Sequence, residues 1–154
     1  MSKPEPSVPH ATTLEIRDHC LCLHAQRAAR ALARRFDAAF RPLGLTSGQF
    51  SLLNALNRPE PPAMGQVAAV LAMDRTTLTA ALKPLERRGL ARAVAGEDRR
   101  SRRMALTDAG CALLAEAVPV WRRVHAEVDA EVEAAPGGLR GALAALSGGQ
   151  GTSR

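Results

Sequence analysis

Apolar and small residues recur at helical spacing through residues 13–40 (Leu14, Leu21, Ala25, Ala28, Leu32, Phe36, Ala39), and Pro42 and Gly44 close the run, so the pattern predicts one long first helix. Thr46 then stands as an N-cap with Gln49 at the reciprocal position three residues on, and Phe50, Leu53 and Leu56 form the inward stripe of a second helix. The stretch Arg58-Pro59-Glu60-Pro61-Pro62 ends it in a short, stiff loop. Residues 65–71, with Val67, Val70 and Leu71 turned inward, predict a third helix, and Asp74 is a good N-cap for a fourth that reaches about residue 88. Two short helices joined by a tight turn predict a helix-turn-helix.

In that fourth helix Leu78, Leu82 and Leu85 share one face, which leaves Thr76, Thr79, Ala80 and Lys83 outward. Pro84 removes the backbone bond to Ala80 and should loosen the last turn, at a cost of roughly 3 kcal/mol in an otherwise regular helix. Gly89 is placed to stop the helix in a left-handed conformation. Residues 90–95 and 103–106 can then pair as two strands around the turn-forming, arginine-loaded segment Glu97-Asp98-Arg99-Arg100-Ser101-Arg102. From Thr107 or Asp108 a long helix carries Leu113, Leu114, Val118, Trp121, Val124 and Val128, with a kink expected at Pro119. A last short helix after Pro136-Gly137-Gly138 would hold Leu139, Leu143 and Leu146.

The expected fold is mainly α with a small β wing. A winged helix-turn-helix at 45–107 is flanked by an N-terminal dimerisation helix at 13–44 and C-terminal dimerisation helices at 108–146, with poorly ordered tails at 1–12 and 147–154. The end helices carry more apolar stripe than one winged helix can cover, which points to a homodimer; the alternative is that they pack on each other within one chain.

Composition agrees with a globular domain: 46% of the 154 residues are apolar and 23% charged, while aromatics are 3% and tyrosine is absent, which favours helix over strand. Charge is more informative than composition. Nine lysines and arginines against three acids fall between Arg75 and Arg103, a surplus of six that equals the net charge of the whole chain. Such a concentration suits a polyanion, either nucleic acid or an anionic membrane. No run approaches the roughly 18 apolar residues needed to span a bilayer, and the Pro-rich start lacks a signal-peptide core, so a soluble cytoplasmic protein is expected. Three cysteines, Cys20, Cys22 and Cys111, do not form a disulfide framework and suit a reducing compartment.

Five pieces in order resemble the MarR family of bacterial transcriptional regulators: Leu45-Thr46-Ser47-Gly48-Gln49-Phe50-Ser51-Leu52-Leu53, Asp74-Arg75-Thr76-Thr77-Leu78-Thr79, Leu85-Glu86-Arg87-Arg88-Gly89-Leu90, Asp98-Arg99-Arg100-Ser101-Arg102 and Leu106-Thr107-Asp108-Ala109-Gly110. The resemblance implies a dimeric repressor of double-stranded DNA whose fourth helix enters the major groove while a wing arginine reaches the minor groove. By that resemblance Arg75, Thr76, Thr77, Thr79 and Lys83 are the recognition-helix residues, Arg99, Arg100 and Arg102 belong to the wing, and Asp98 braces the wing. The chemistry suits these roles, since a helix N-terminus and hydroxyls grip phosphates and base edges, and arginine suits guanine or a narrow minor groove. Ala80 stands where the family commonly has a long polar side chain, which shifts specificity toward Arg75 and DNA shape.

Two inputs remain open for such a regulator. The resemblance implies an unidentified small-molecule effector, aromatic or amphipathic, between the dimer helices and the DNA-binding lobe. Alternatively Leu21-Cys22 resembles the reactive-cysteine segment of the family's organic-peroxide-sensing branch, although that branch's tyrosines are missing here; oxidation of Cys22 would add polar bulk at the dimer interface. An inert buried thiol is the plain alternative. His19, Cys20, Cys22 and His24 offer only two ligands per helix face, so no metal and no cofactor is expected. No phosphate loop, His-Glu-x-x-His or nucleophile setting is present, so the chain is not expected to be an enzyme. A non-specific DNA-binding or protein-interaction winged helix is the rival function.

Overall fold

The computed structural model describes residues 8–96, 102–132 and 139. Among the described residues six helices and a two-stranded hairpin follow the predicted order, with a difference at the start. Instead of one long helix there are two, α1 (His10–His19) and α2 (Leu21–Phe40), separated at Cys20, whose ψ of 105° is extended. The break satisfies its own backbone: Cys20 N–H reaches the Ile16 carbonyl at 2.9 Å, and ring nitrogens of His19 and His24 reach the carbonyls of Glu15 and Asp18 at 2.9 and 3.0 Å. Packing does not oppose it, because α1 buries no residue and α2 buries only Phe40. Helix also begins at His10, inside the segment expected to be tail.

A single 3-10 turn (Arg41–Leu43) ends at Gly44, whose φ of 64° takes the left-handed conformation. Helix α3 (Ser47–Leu56) opens with the expected capping box: Thr46 Oγ1 accepts from Gln49 N–H and Gln49 Oε1 accepts from Thr46 N–H, both at 3.2 Å. Helix α4 (Met64–Leu71) starts one residue earlier than expected because Met64 is drawn into the core. Ala72 turns the chain with a left-handed φ of 51°, and α5 (Arg75–Arg87) follows from its Asp74 cap. Pro84 does not interrupt α5; Arg88 N–H still reaches the Pro84 carbonyl at 3.1 Å, so the loss is confined to the bond Pro84 itself cannot make.

Strands β1 (Ala91–Ala95) and β2 (Arg102–Leu106) pair antiparallel in the register Ala91 with Leu106 through Ala95 with Arg102. A bridge from Ala63 to Arg103 adds a short third edge, joined by Met104 N–H to the Pro62 carbonyl at 3.3 Å. Helix α6 (Asp108–Val132) passes continuously through Pro119. Of the expected last helix Leu139 alone is described, 45% exposed; the rest of it, the wing tip at 97–101 and the far tail lie outside the described residues. Phe40, Leu53, Leu78, Leu82, Leu85 and Met104 form the centre of the core, where burial stabilises by about 1.5–3 kcal/mol per large apolar side chain. These residues come from α2, α3, α5 and β2, so the core is what fixes α5 against the hairpin.

Candidate nucleic-acid interface

Helix α5 presents two faces of opposite character. Leu78, Leu82 and Leu85 are at most 1% exposed, and this stripe locks the helix to the core. Arg75, Thr76, Ala80, Lys83 and Arg87 are exposed on the rest of the surface. Arg75, Lys83 and Arg87 make no ion pair with any described residue, so their charges are available to an outside anion. Arg87 was not singled out from the sequence; its spacing of four from Lys83 was the signal. Arg92, exposed on β1, adds a further cation that strand alternation could have flagged.

The threonines divide by role. Thr77 belongs to the cap, since Asp74 accepts from Thr77 N–H at 2.8 Å and from Thr77 Oγ1 at 2.6 Å. The Thr77 hydroxyl and then its backbone N–H hold the Asp74 carboxyl below its ordinary pKa. Thr79 Oγ1 donates to the Arg75 carbonyl at 2.7 Å, one turn back. Both hydroxyl protons are therefore committed inside the helix, leaving these oxygens as acceptors. Thr76 carries no such bond and is the hydroxyl free to donate outward. The start of α5 thus combines an Asp74 cap, a positive dipole end and Arg75.

The wing is bracketed to this helix by ion pairing and backbone contacts. Arg102 Nη2 meets Glu86 Oε1 at 2.9 Å, so this arginine's charge is answered within the chain rather than presented freely. Arg103 Nη1 donates to the Pro61 carbonyl at 2.9 Å, tying β2 to the loop before α4. At the wing's root, Thr107 Oγ1 donates to the Gly89 carbonyl at 2.6 Å and accepts from Gly110 N–H at 3.1 Å. Arg88 Nη1 donates to the Gly44 carbonyl at 2.8 Å and secures the end of α5. Asp98, Arg99 and Arg100 lie outside the described residues.

Away from this surface, Cys22 is exposed and its sulfur accepts from Gln26 Nε2 at 3.1 Å; Cys20 is half-buried at the α1–α2 break. Among the described residues no group of three or more His, Cys, Asp or Glu side chains gathers to hold a metal ion, and no helix is long and apolar enough to cross a membrane. Every aromatic residue of the chain falls into one cluster joining α2, α3 and α6: Phe40 stacks on Phe50 with centroids 4.8 Å apart, Phe50 on Trp121 at 6.4 Å, and Trp121 meets His125 at 4.7 Å. Beside it a cleft of about 430 Å³ opens between α3, α4 and α6.

Known proteins share this fold and part of its sequence. A sequence profile of the MarR family matches residues 43–101. The transcriptional regulator MosR of M. tuberculosis, solved in complex with DNA, is 42% identical with a TM-score of 0.74, the match covering 84% of this chain and 94% of MosR. The transcriptional repressor CouR of Rhodococcus jostii RHA1, solved on a 23-mer DNA duplex, is 30% identical with a TM-score of 0.67, over 85% of this chain and 92% of CouR. An uncharacterised HTH-type transcriptional regulator of Bacillus subtilis (strain 168), YwoH, is 31% identical over 81 residues, which is 53% of this chain and 59% of that protein. These relatives are transcriptional regulators, not enzymes.

Proposed function

The chain belongs to the MarR family of transcriptional regulators, and on that premise we propose that it is a sequence-specific DNA-binding repressor. It holds an inverted-repeat operator as a homodimer and releases it when a small effector binds. The observation that carries this reading is the division of α5 into a leucine face sealed in the core and an outward face whose arginines and lysine have no partner among the described residues. Arg75, Thr76 and Lys83 donate to base edges in the major groove and to phosphates, Thr79 Oγ1 is left to accept from a base amino group, and Thr77 serves through the cap. By the family resemblance Arg99 and Arg100 are assigned to the adjacent minor groove with Asp98 as their support, and Arg102 ties the wing to α5 through Glu86.

Two recognition helices require two copies, and the apolar faces of α1 and α2 supply a reason for them to associate. Ile16, Leu21 and Leu32 are 55%, 73% and 40% exposed in the single chain. A gel-shift titration against the promoter region beside the coding sequence tests the reading. Binding that survives excess unrelated duplex is expected; equal competition by that duplex would leave only non-specific affinity and sink it.

One observation favours a thiol input as a second reading. Cys22 is exposed on the helix whose apolar face lacks a cover, and its sulfur already engages Gln26. Oxidation there would place polar bulk in the interface. Organic peroxide should then release DNA from the native protein and not from Cys22→Ser, and equal release from both ends this reading.

A further inference from the structure

The elbow at residues 41–46 joins α2, the helix that offers an apolar face to a second copy, to the lobe that carries α5. Pro42 stiffens its 3-10 turn, Gly44 N–H reaches the Arg41 carbonyl at 3.0 Å, and Leu45 N–H reaches the Phe40 carbonyl at 3.3 Å. Phe40 and Leu45, on either side of the turn, are both buried in the core. Asp37, one turn before the end of α2, reaches across the bend, where its Oδ1 accepts from Ser47 N–H at 2.6 Å in the first turn of α3. The elbow is thereby fastened to both helices that it connects.

Arg88 holds the same elbow from the recognition helix. It caps the C-terminus of α5, where its N–H reaches the Pro84 carbonyl at 3.1 Å, Gly89 takes a left-handed φ of 68° and Leu90 N–H closes on the Leu85 carbonyl at 2.9 Å. From this fixed base Nη1 donates to the Gly44 carbonyl, 44 residues away, at 2.8 Å. The donor is ionised, so the bond is stronger than one between neutral groups. No acidic side chain among the described residues competes for this guanidinium. That sets Arg88 apart from Arg102, held by Glu86, and from Arg75, Lys83 and Arg87, whose charges meet no partner among the described residues. Helix α2 packs chiefly on α3 and α6, and α5 on α3, α4 and β1, so the Arg88–Gly44 bond is a direct polar tie between the elbow and the recognition helix.

We propose that Arg88 is a positioning residue for operator spacing. Through the Gly44 carbonyl it fixes how α5 stands relative to α2. Because α2 carries the proposed dimer surface, the tie also fixes how far apart and at what mutual angle two recognition helices meet two half-sites. Only this consequence rests on the dimeric regulator reading; the tie itself does not. The rival role for an exposed cation at the end of α5 is a phosphate contact, which would draw the side chain away from Gly44 and act at each half-site alone.

Arg88→Met keeps most of the side-chain stem and removes every donor, whereas Arg88→Lys restores one. In the DNA-free full-length protein, hydrogen exchange at the Gly44 and Leu45 amides should speed up several-fold in Arg88→Met and return toward the native rate in Arg88→Lys. Binding is then compared on the native promoter site, on versions with one base pair added or removed between its half-sites, and on a duplex carrying one half-site. One base pair moves a half-site by about 3.4 Å and about a tenth of a turn. The native protein should prefer its own spacing by about tenfold, and Arg88→Met should reduce that preference to about threefold or less without changing half-site affinity. Arg88→Lys should recover it. Unchanged elbow exchange in Arg88→Met overturns the tie. A preserved spacing preference overturns the positioning role, and equal loss on the half-site and the full site makes Arg88 a phosphate contact instead. A faster-exchanging elbow in a protein that ignores promoter DNA leaves the tie standing and fails the regulator reading alone.

Discussion

At Gly110 a Cβ would overlap the carbonyl oxygen of Leu90, the same oxygen that accepts from Thr107 N–H at 3.1 Å to fix the root of the wing. Backbone, unlike a side-chain end, cannot swing away, so Gly110→Ala must push α6 off the hairpin. The expected cost is about 3 kcal/mol, at the upper end for overpacking, measured by urea denaturation. Ala72 presents the opposite case, since an alanine holds a left-handed φ of 51° in the helix-turn-helix joint. Relief of roughly 1–2 kcal/mol of strain outweighs the roughly 0.5–1 kcal/mol of extra chain entropy that glycine loses on folding. Ala72→Gly should therefore stabilise the fold slightly, and a lower urea midpoint would show that the strain is not real. The sequence marks Gly89 as a stop, but gives no warning at Gly110, because the close approach depends on where the wing's root meets α6 in three dimensions.

At the scale of elements, the cap that starts α5 links stability to acidity. The Thr77 hydroxyl and N–H stabilise the ionised Asp74 carboxyl and hold its pKa below the ordinary value. A depressed folded-state pKa means the stabilisation is fully present above the unfolded carboxylate range and lost as pH falls through the folded value. Asp74→Ala should thus lower the thermal midpoint at neutral pH, with the gap to the native protein closing in strong acid; a gap independent of pH would remove the carboxylate from the explanation. This cap, the Thr46–Gln49 box and the Leu78–Leu82–Leu85 face were legible in the sequence because each rests on spacing within a few residues. The break at Cys20 was not, since neither proline nor glycine marks it and the ring contacts of His19 and His24 help satisfy its carbonyls only once the chain is folded. Arg102 reads as one more wing cation until the hairpin register and the phase of α5 bring it to Glu86, sixteen residues away. Thr77 and Thr79 likewise read as free hydroxyls until their helical partners are seen.

For the whole molecule, the distribution of burial argues that one chain is an incomplete unit. Helix α2 is held to α6 on one side, where Arg35 bridges Glu127 at 3.3 Å and Glu131 at 2.7 Å, and its other apolar positions face outward. With α1 burying nothing and α2 burying only Phe40 at its end, residues 10–35 contribute little to the core that seats α5 and the wing. Disrupting the outward face of that stretch should consequently separate assembly from folding. Leu21→Glu combined with Leu32→Glu places two charges on surfaces 73% and 40% exposed in the single chain, so the winged helix should keep its helical signal and its cooperative melt. In the proposed dimer the same positions would bury unpaired carboxylates, so sedimentation should show a dimer for the native protein and a monomer for the variant. Operator affinity should fall far more than affinity for a single half-site, because the loss is the coupling of two recognition helices rather than any contact to DNA. If the doubly substituted protein still sediments as a dimer and holds the full operator, the apolar faces of α1 and α2 are not the assembly surface, and the second copy must meet the first elsewhere.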